Sequence, residues 1–255
     1  MGQVKHITST NNEKIKYFIN LKDKAFRKET QKFLIEGYHL VEEAKKAQVL
    51  EAIITSDEKI VNVFSDFNVY FVNDAIIKKL SSTKTPQPII GVVKMLNHST
   101  SKLYTILKKE KVKLVLLDEI NDPGNLGTII RTVAGLGYDA IGMNNECVDI
   151  YNEKVIRSTQ GALFKIPIIR GDLLSIIGEL KKAQVKCLGT TLNGANELEK
   201  VQKIDRFAIC VGNEARGISK DVLQVMDDNI KITMHNDVES LNVAIALAIL
   251  MYKLK

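Results

Sequence analysis

From residue 112 to the C-terminus, short apolar runs alternate with longer stretches of helical spacing, and this alternation constrains the chain more than any other feature. KLVLLDEI reads as a strand followed by a helix from about Leu126. DAIGM, IPII, VKCLGTTL, RFAICVGNE and IKITM read as further strands, with helices from Glu153, over 173–183 and over 241–254. Strands alternating with helices build a parallel sheet covered on both faces. Such sheets bind ligands in the loops that leave the carboxyl ends of their strands. Here those loops are 121–127, 189–194, 212–217 and 235–240.

The first part also alternates, on a smaller scale. Residues 12–29 have the apolar spacing of a helix (Ile15, Phe18, Ile19, Leu21, Phe26), and FLIEGYHLVEEAKKA reads as a strand, a glycine break and a helix. LEAIITS, VYFV and IIGVVKM are strands, separated by helical DEKIVNVFS and DAIIKKLSST. KTPQP is a turn-rich break. A domain boundary falls near 97–110, with a lysine-rich helical linker, and divides the chain into an α/β domain at 1–105 and a larger parallel-sheet domain at 106–255.

The net charge of +6 is unevenly placed: residues 1–110 hold 18 basic and 12 acidic side chains, and 111–255 hold 18 of each. Residues 1–32 alone carry eight basic groups against three acidic ones. Lys14, Lys16, Lys22, Lys24, Arg27 and Lys28 form a candidate polyanion-binding face, with a solvated amphipathic helix as the alternative. Few aromatics are interleaved, which favours phosphate contact over base stacking. Cys147, Cys187 and Cys210 are odd in number and widely spaced, so they read as buried reduced thiols and no metal is expected. The longest apolar run, 241–252, contains Asn242 and is short of the ~20 residues that span a bilayer. No apolar leader opens the chain. A cytoplasmic protein without a membrane partner is expected.

The candidate ligand loops lack both GxGxxG after the first strand and GxxxxGK[ST], so dinucleotide and P-loop sites have no support. In NDPGNLGTIIRT, Pro123 and Gly124 make a turn, Asn125 is an N-cap candidate, and Arg131 sits on a mostly apolar helix, where it needs a counter-charge, a phosphate or solvent. VGNEARGIS sets Gly212 and Gly217 about Glu214; Gly212 allows close backbone approach, while Glu214 also fits a simple helix-start carboxylate. Ser240 is an N-cap candidate for the last helix. Asn242, at the head of a helix built for burial, demands a hydrogen-bond partner. His235 reads as a turn residue, and the sequence around His6, His39 and His98 carries no signal of a catalytic partner.

Together these segments resemble the SpoU-type (TrmH-like) branch of the SPOUT RNA methyltransferases, over about residues 112–255. DPGNLGTIIRT, GNEARGIS and ITMHNDVESLNVAIA are similar to three family motifs, in the same order. FLIEGYHLVEEA looks like the α/β substrate-binding domain, similar to a ribosomal RNA-binding protein, that many members carry. The resemblance implies methylation of a ribose 2′-hydroxyl from S-adenosylmethionine, with large-subunit ribosomal RNA favoured; a tRNA substrate, a base methyltransferase or a catalytically silent RNA-binding protein are the alternatives. It implies catalytic or RNA-positioning roles for Arg131, Asn125, Glu214, Ser240 and Asn242. Thr190, Val211, Gly212, Gly217, Ile232, Met234 and Leu241 would line the cofactor pocket, largely through backbone atoms. A trefoil knot in the C-terminal third and a homodimer sharing its active site are also implied. Ala215, Thr233 and Asn236 depart from the family's glycine, proline and glycine, and none of the three removes a proposed catalytic group.

Overall fold

The computed structural model describes residues 2–98, 100–191, 195–234 and 240–254. Tertiary contacts divide the chain into two units, Met1–Asn97 and His98–Lys255.

The first unit contains β1 (Val4–Ile7), α1 (Glu13–Asn20), α2 (Lys24–Thr30), β2 (Lys32–Glu36), α3 (Tyr38–Lys46), β3 (Leu50–Thr55), α4 (Glu58–Val63), β4 (Asn68–Val72), α5 (Asp74–Leu80) and β5 (Ile89–Lys94). Its sheet is mixed, in the order β1-β4-β3-β5-β2, with β5 antiparallel to both β2 and β3. The period of two along the strands splits the core. Ala52, Ile54, Val72, Ile90 and Val92 pack with Ile15, Phe18 and Leu21 and with Ile76, Ile77 and Leu80 of α5. The helical spacing over 12–29 resolves into two helices rather than one. Asp23 accepts from the Phe26 amide and restarts the chain as α2, while the Arg27 guanidinium donates to the carbonyls of Leu21 (3.2 Å) and Lys22 (2.6 Å) at the break.

The second unit contains α6 (Ser101–Leu107), β6 (Val112–Leu117), α7 (Pro123–Gly135), β7 (Ala140–Met143), α8 (Glu153–Thr159), β8 (Ile168–Arg170), α9 (Leu173–Lys182), β9 (Lys186–Thr190), β10 (Asn196–Glu197), β11 (Arg206–Val211), α10 (Lys220–Gln224), β12 (Asp228–Lys231) and α11 (Val243–Leu254). Its seven strands are parallel, in the order β10-β12-β9-β11-β6-β7-β8. Leu114, Leu116, Cys187, Ala208 and Cys210 pack on one face against α6, α9 and α10. On the other, α11 packs on β11 and α7, and α7 on α8. The Tyr138 hydroxyl donates to the Met251 carbonyl at 3.1 Å and ties α11 down.

The lysine-rich stretch near 97–110 is part of this unit rather than a linker, because Leu103 and Ile106 of α6 enter its core. The expected strand IKITM ends at Lys231, and β10 and α10 are additional elements. All three cysteines are free and buried; burial raises the thiol pKa to about 11 at Cys147 and about 12 at Cys187, which keeps them unreactive. The expected turn residue His235, and Asn236, lie outside the described residues, as do 192–194, so the implied knot rests on the resemblance.

Candidate active site

In the second unit the strand order reverses at β6: the chain runs outward to β8, then returns to fill the other side with β9 to β12. The loops leaving β6 and β11 therefore face each other across a topological switch point, where open parallel sheets bind ligands. A cavity of about 870 Å³ lies beside it, at the carboxyl ends of β9, β11 and β12 and the start of α11. All seven expected cofactor residues line it: Thr190, Val211, Gly212, Gly217, Ile232, Met234 and Leu241, together with Glu214, Ser240 and Asn242.

The β11 loop owes its shape to two glycines. Asn213 and Gly217 exchange backbone hydrogen bonds of 2.9 and 2.8 Å, closing a tight loop that Gly217 completes at φ +71°. A Cβ at Gly212 would stand 2.2 Å from the Gly217 carbonyl carbon. The close approach that requires Gly212 is thus the chain's own backbone. Asn213 holds the turn inside, accepting from the Ala215 and Arg216 amides.

At the rim, three expected residues form one hydrogen-bond chain. Asn242 Nδ2 donates to Asn125 Oδ1 (2.9 Å), and Asn125 Nδ2 donates to Glu214 Oε1 (2.8 Å). Asn242 Oδ1 accepts from the Ala244 amide at 3.0 Å and so caps α11, the role expected of Ser240. Ser240 is exposed and lines the cavity. Asn125 is likewise not the cap of α7. Asp122 takes that position, accepting from the Asn125 amide at 2.8 Å, a bond that lowers the Asp122 pKa. Pro123 occupies the first turn, and the Asn125 side chain is left to bridge two loops.

Arg131 is exposed and does not line the cavity of its own chain, and it makes no hydrogen bond or ion pair among the described residues. Six residues beyond Asn125, it sits about 9 Å further along α7 and roughly 120° around it. Solvent satisfies the charge that the sequence left open.

Sequence reasoning missed the supports of the β11 loop. Asp118 and Glu119 follow β6; Asp118 is buried and bonded to Asn144 Nδ2 (2.7 Å) and the Ser219 amide (2.7 Å), and Glu119 pairs with Arg216. Their signal was two acidic residues directly after an apolar strand, a place where a buried carboxylate needs partners.

In the first unit the expected basic face is largely engaged in its own fold. Arg27 is only 7% exposed and bonded to backbone carbonyls, so it is a structural residue and not a phosphate ligand. Lys22 donates to the carbonyls of Lys79 and Ser81, and Lys16 pairs with Glu13. Lys14 lies over the rings of Tyr17 and Phe18, one helical turn on at i+3 and i+4, and of Tyr70, which folding brings from β4. Lys24 and Lys28 are exposed. His98, in the second unit, has partners after all: the Tyr151 hydroxyl at 2.7 Å and the Ile168 carbonyl at 3.1 Å.

The fold and this cavity define an open-sheet α/β ligand-binding domain joined to a smaller mixed α/β unit. The model of the SpoU rRNA Methylase family matches residues 113–252, and that of the MRM3-like substrate binding domain matches residues 12–91. The chain belongs to the SpoU rRNA methylase family. It is 37% identical to the 23S rRNA (guanosine(2553)-2′-O)-methyltransferase RlmP of Bacillus subtilis, over 99% of this chain and 100% of that one. An rRNA methyltransferase from Sinorhizobium meliloti, solved with AdoMet bound, superposes with a TM-score of 0.89 at 30% identity, covering 99% and 97% of the two chains. The AviRb SpoU methyltransferase of Streptomyces viridochromogenes, also solved with AdoMet, shares the fold with a TM-score of 0.86 at 21% identity, covering 95% and 97%. Among the described residues no helix is long and apolar enough to cross a membrane, and no group of His, Cys, Asp or Glu side chains could hold a metal ion.

Proposed function

We propose that this chain transfers the methyl group of S-adenosylmethionine to a ribose 2′-hydroxyl of large-subunit ribosomal RNA, in the cytoplasm, and that the acceptor is a guanosine, as in the Bacillus subtilis relative. The observation that carries the reading is the Asn242–Asn125–Glu214 chain at the mouth of the cavity. It places three polar side chains from distant segments at the edge of an adenosyl-sized pocket. The volume lies within the roughly 300–1,000 Å³ of small-molecule sites. The walls combine apolar side chains (Ile218, Leu223, Ile230, Ile232) with backbone exposed by Gly212, Ala215 and Gly217, which suits an adenine ring and its edge.

When bound, the sulfonium supplies an activated methyl group: its C–S bond breaks as the C–O bond to the ribose forms, and a thioether leaves. The protein's part is to aim the hydroxyl and dispose of its proton. Glu214, Asn125 and Asn242, joined at the rim, fix the ribose edge, with Ser240 beside them on the cavity wall. Arg131, whose guanidinium carries donors and no acceptor, binds the flanking phosphate and stabilises developing alkoxide, while the proton leaves to water.

Because Arg131 does not line the cavity of its own chain, it serves the cavity of a second copy in a homodimer. Two observations support this: α11, packed on α7, exposes Ile245, Ile249 and Tyr252 at i, i+4 and i+7, and Arg131 is exposed on α7. The first unit delivers the RNA, with Lys24 and Lys28 as its available phosphate ligands.

The test is transfer of labelled methyl to unmodified ribosomal RNA and to tRNA in parallel with Arg131→Ala, followed by nucleoside analysis. 2′-O-methylguanosine in ribosomal RNA, absent with the variant, is the expected result. Label in tRNA alone, or on a base, refutes the assignment. Turnover by Arg131→Ala at the normal rate removes that residue from the mechanism.

A further inference from the structure

We infer that Asp118, with Asn144 behind it, is a positioning residue for the cofactor pocket, acting through the β11 loop and touching neither substrate nor cofactor itself. This rests on the reading of the cavity as the S-adenosylmethionine site. The β11 loop lines that cavity from Val211 to Ile218, and its attachments converge on the two residues that follow β6. Near its start, Asn213 Nδ2 donates to the Glu119 carbonyl at 3.1 Å. At its tip, Arg216 pairs with the Glu119 carboxylate. At its end, the Ser219 amide donates to Asp118 Oδ2 at 2.7 Å.

Glu119 adopts a left-handed φ of +57°, which costs a non-glycine residue energy and persists only when its surroundings hold it. Here Asn144 holds it: Asn144 Oδ1 accepts from the Glu119 amide (3.1 Å) and the Cys147 amide (3.2 Å), while Asn144 Nδ2 donates to Asp118 Oδ1 (2.7 Å). Asp118 is 2% exposed and is an acceptor at both oxygens, and Asn144 is 8% exposed and uses its donor on Asp118. The donor and acceptor pattern leaves one arrangement, so the two side chains fix each other and the Ser219 end of the loop.

This geometry sets a specific experiment on the full-length protein. Asp118→Asn keeps the shape and leaves one oxygen to accept from Ser219, but it turns an amide donor toward the Asn144 donor. Asn144→Asp sets two carboxylates against each other. The double variant Asp118→Asn, Asn144→Asp restores complementarity, because the amide introduced at position 118 then donates to the carboxylate introduced at position 144, which still accepts from Glu119 and Cys147. Each single change is expected to weaken S-adenosylmethionine binding about tenfold, the effect of an unsatisfied buried group. The pair is expected to return it to within about threefold of the parent, with kcat at saturating cofactor held throughout. A merely structural role would lower the unfolding midpoint without this crossed recovery.

Parent affinity in either single variant, or a folded double variant no better than the worse single one, overturns the inference. Should Asp118→Asn fail to fold, Glu119→Gln at the exposed ion pair tests the same clamp, with an expected two- to threefold loss of affinity; unchanged affinity there counts against it. A parent protein that binds no S-adenosylmethionine refutes the reading of the site, and that result is separate from all of these.

Discussion

The two polar regions of this molecule use their side chains in opposite ways. At the carboxyl edge of the second unit, Asn125, Glu214 and Asn242 come from segments 89 and 117 residues apart and join in one hydrogen-bond chain beside a cavity. In the first unit, residues 14–28 are close in sequence and similar in charge, yet Arg27 turns inward, Lys22 caps the end of helix α5, and Lys14 rests on aromatic rings. A cluster in sequence is a weak guide to a binding surface, because cations adjacent on a helix find different local partners. Residues far apart in sequence that the fold joins in one hydrogen-bond chain are a stronger guide, because no local partner accounts for their meeting.

The largest effect that would break this comparison is at Gly212. Gly212→Ala drives a Cβ into the Gly217 backbone, and S-adenosylmethionine binding should fall by two orders of magnitude or more, measured by calorimetry; near-normal affinity would show that the tight loop does not shape the site. Mixed with Arg131→Ala, this variant should recover roughly a quarter of parent activity, from heterodimers with one intact composite site. No recovery between folded chains would put both groups in one protomer's site.

Asn125→Ala breaks both links of the rim chain, and kcat should drop about 10²-fold with cofactor affinity nearly kept, read from single-turnover assays. Arg27→Ala should destabilise the protein by about 1–3 kcal/mol in chemical denaturation, since it strips two carbonyls of their donor. Lys24→Gln with Lys28→Gln should leave stability unchanged and flatten the salt dependence of RNA affinity by a slope of about 1.4. If Arg27 instead flattened that slope without loss of stability, the contrast between the regions would fail.

The smallest effect is a pH dependence. Burial, the leading cause, lowers the His98 pKa below its ordinary 6.5, so the folded protein favours the neutral ring. Its contribution to stability is complete above pH 6.5 and is lost as pH falls through the lowered value, where the unfolded chain takes up the proton first. Denaturation at pH 8 and at pH 5.5 should show a smaller difference for His98→Gln than for the parent.

The strand and helix alternation, the parallel sheet and the loops at its carboxyl edge were legible in the chain before any coordinate, because periodicity and glycine placement are local properties. So was the need of Asn242 for a partner, since a polar residue at the head of an apolar helix announces one, whereas Asn125 and Glu214 were singled out as site residues through the family resemblance. The caps of α7 and α11 were misread, because two polar residues in one turn compete and only the closed backbone decides between them. Asp118 and Asn144 were passed over, since their meaning lies in a hydrogen bond across 26 residues. Which basic groups of the first unit face water was decided only on folding. Partnership and exposure are set by packing between segments distant in sequence, and no local pattern encodes them.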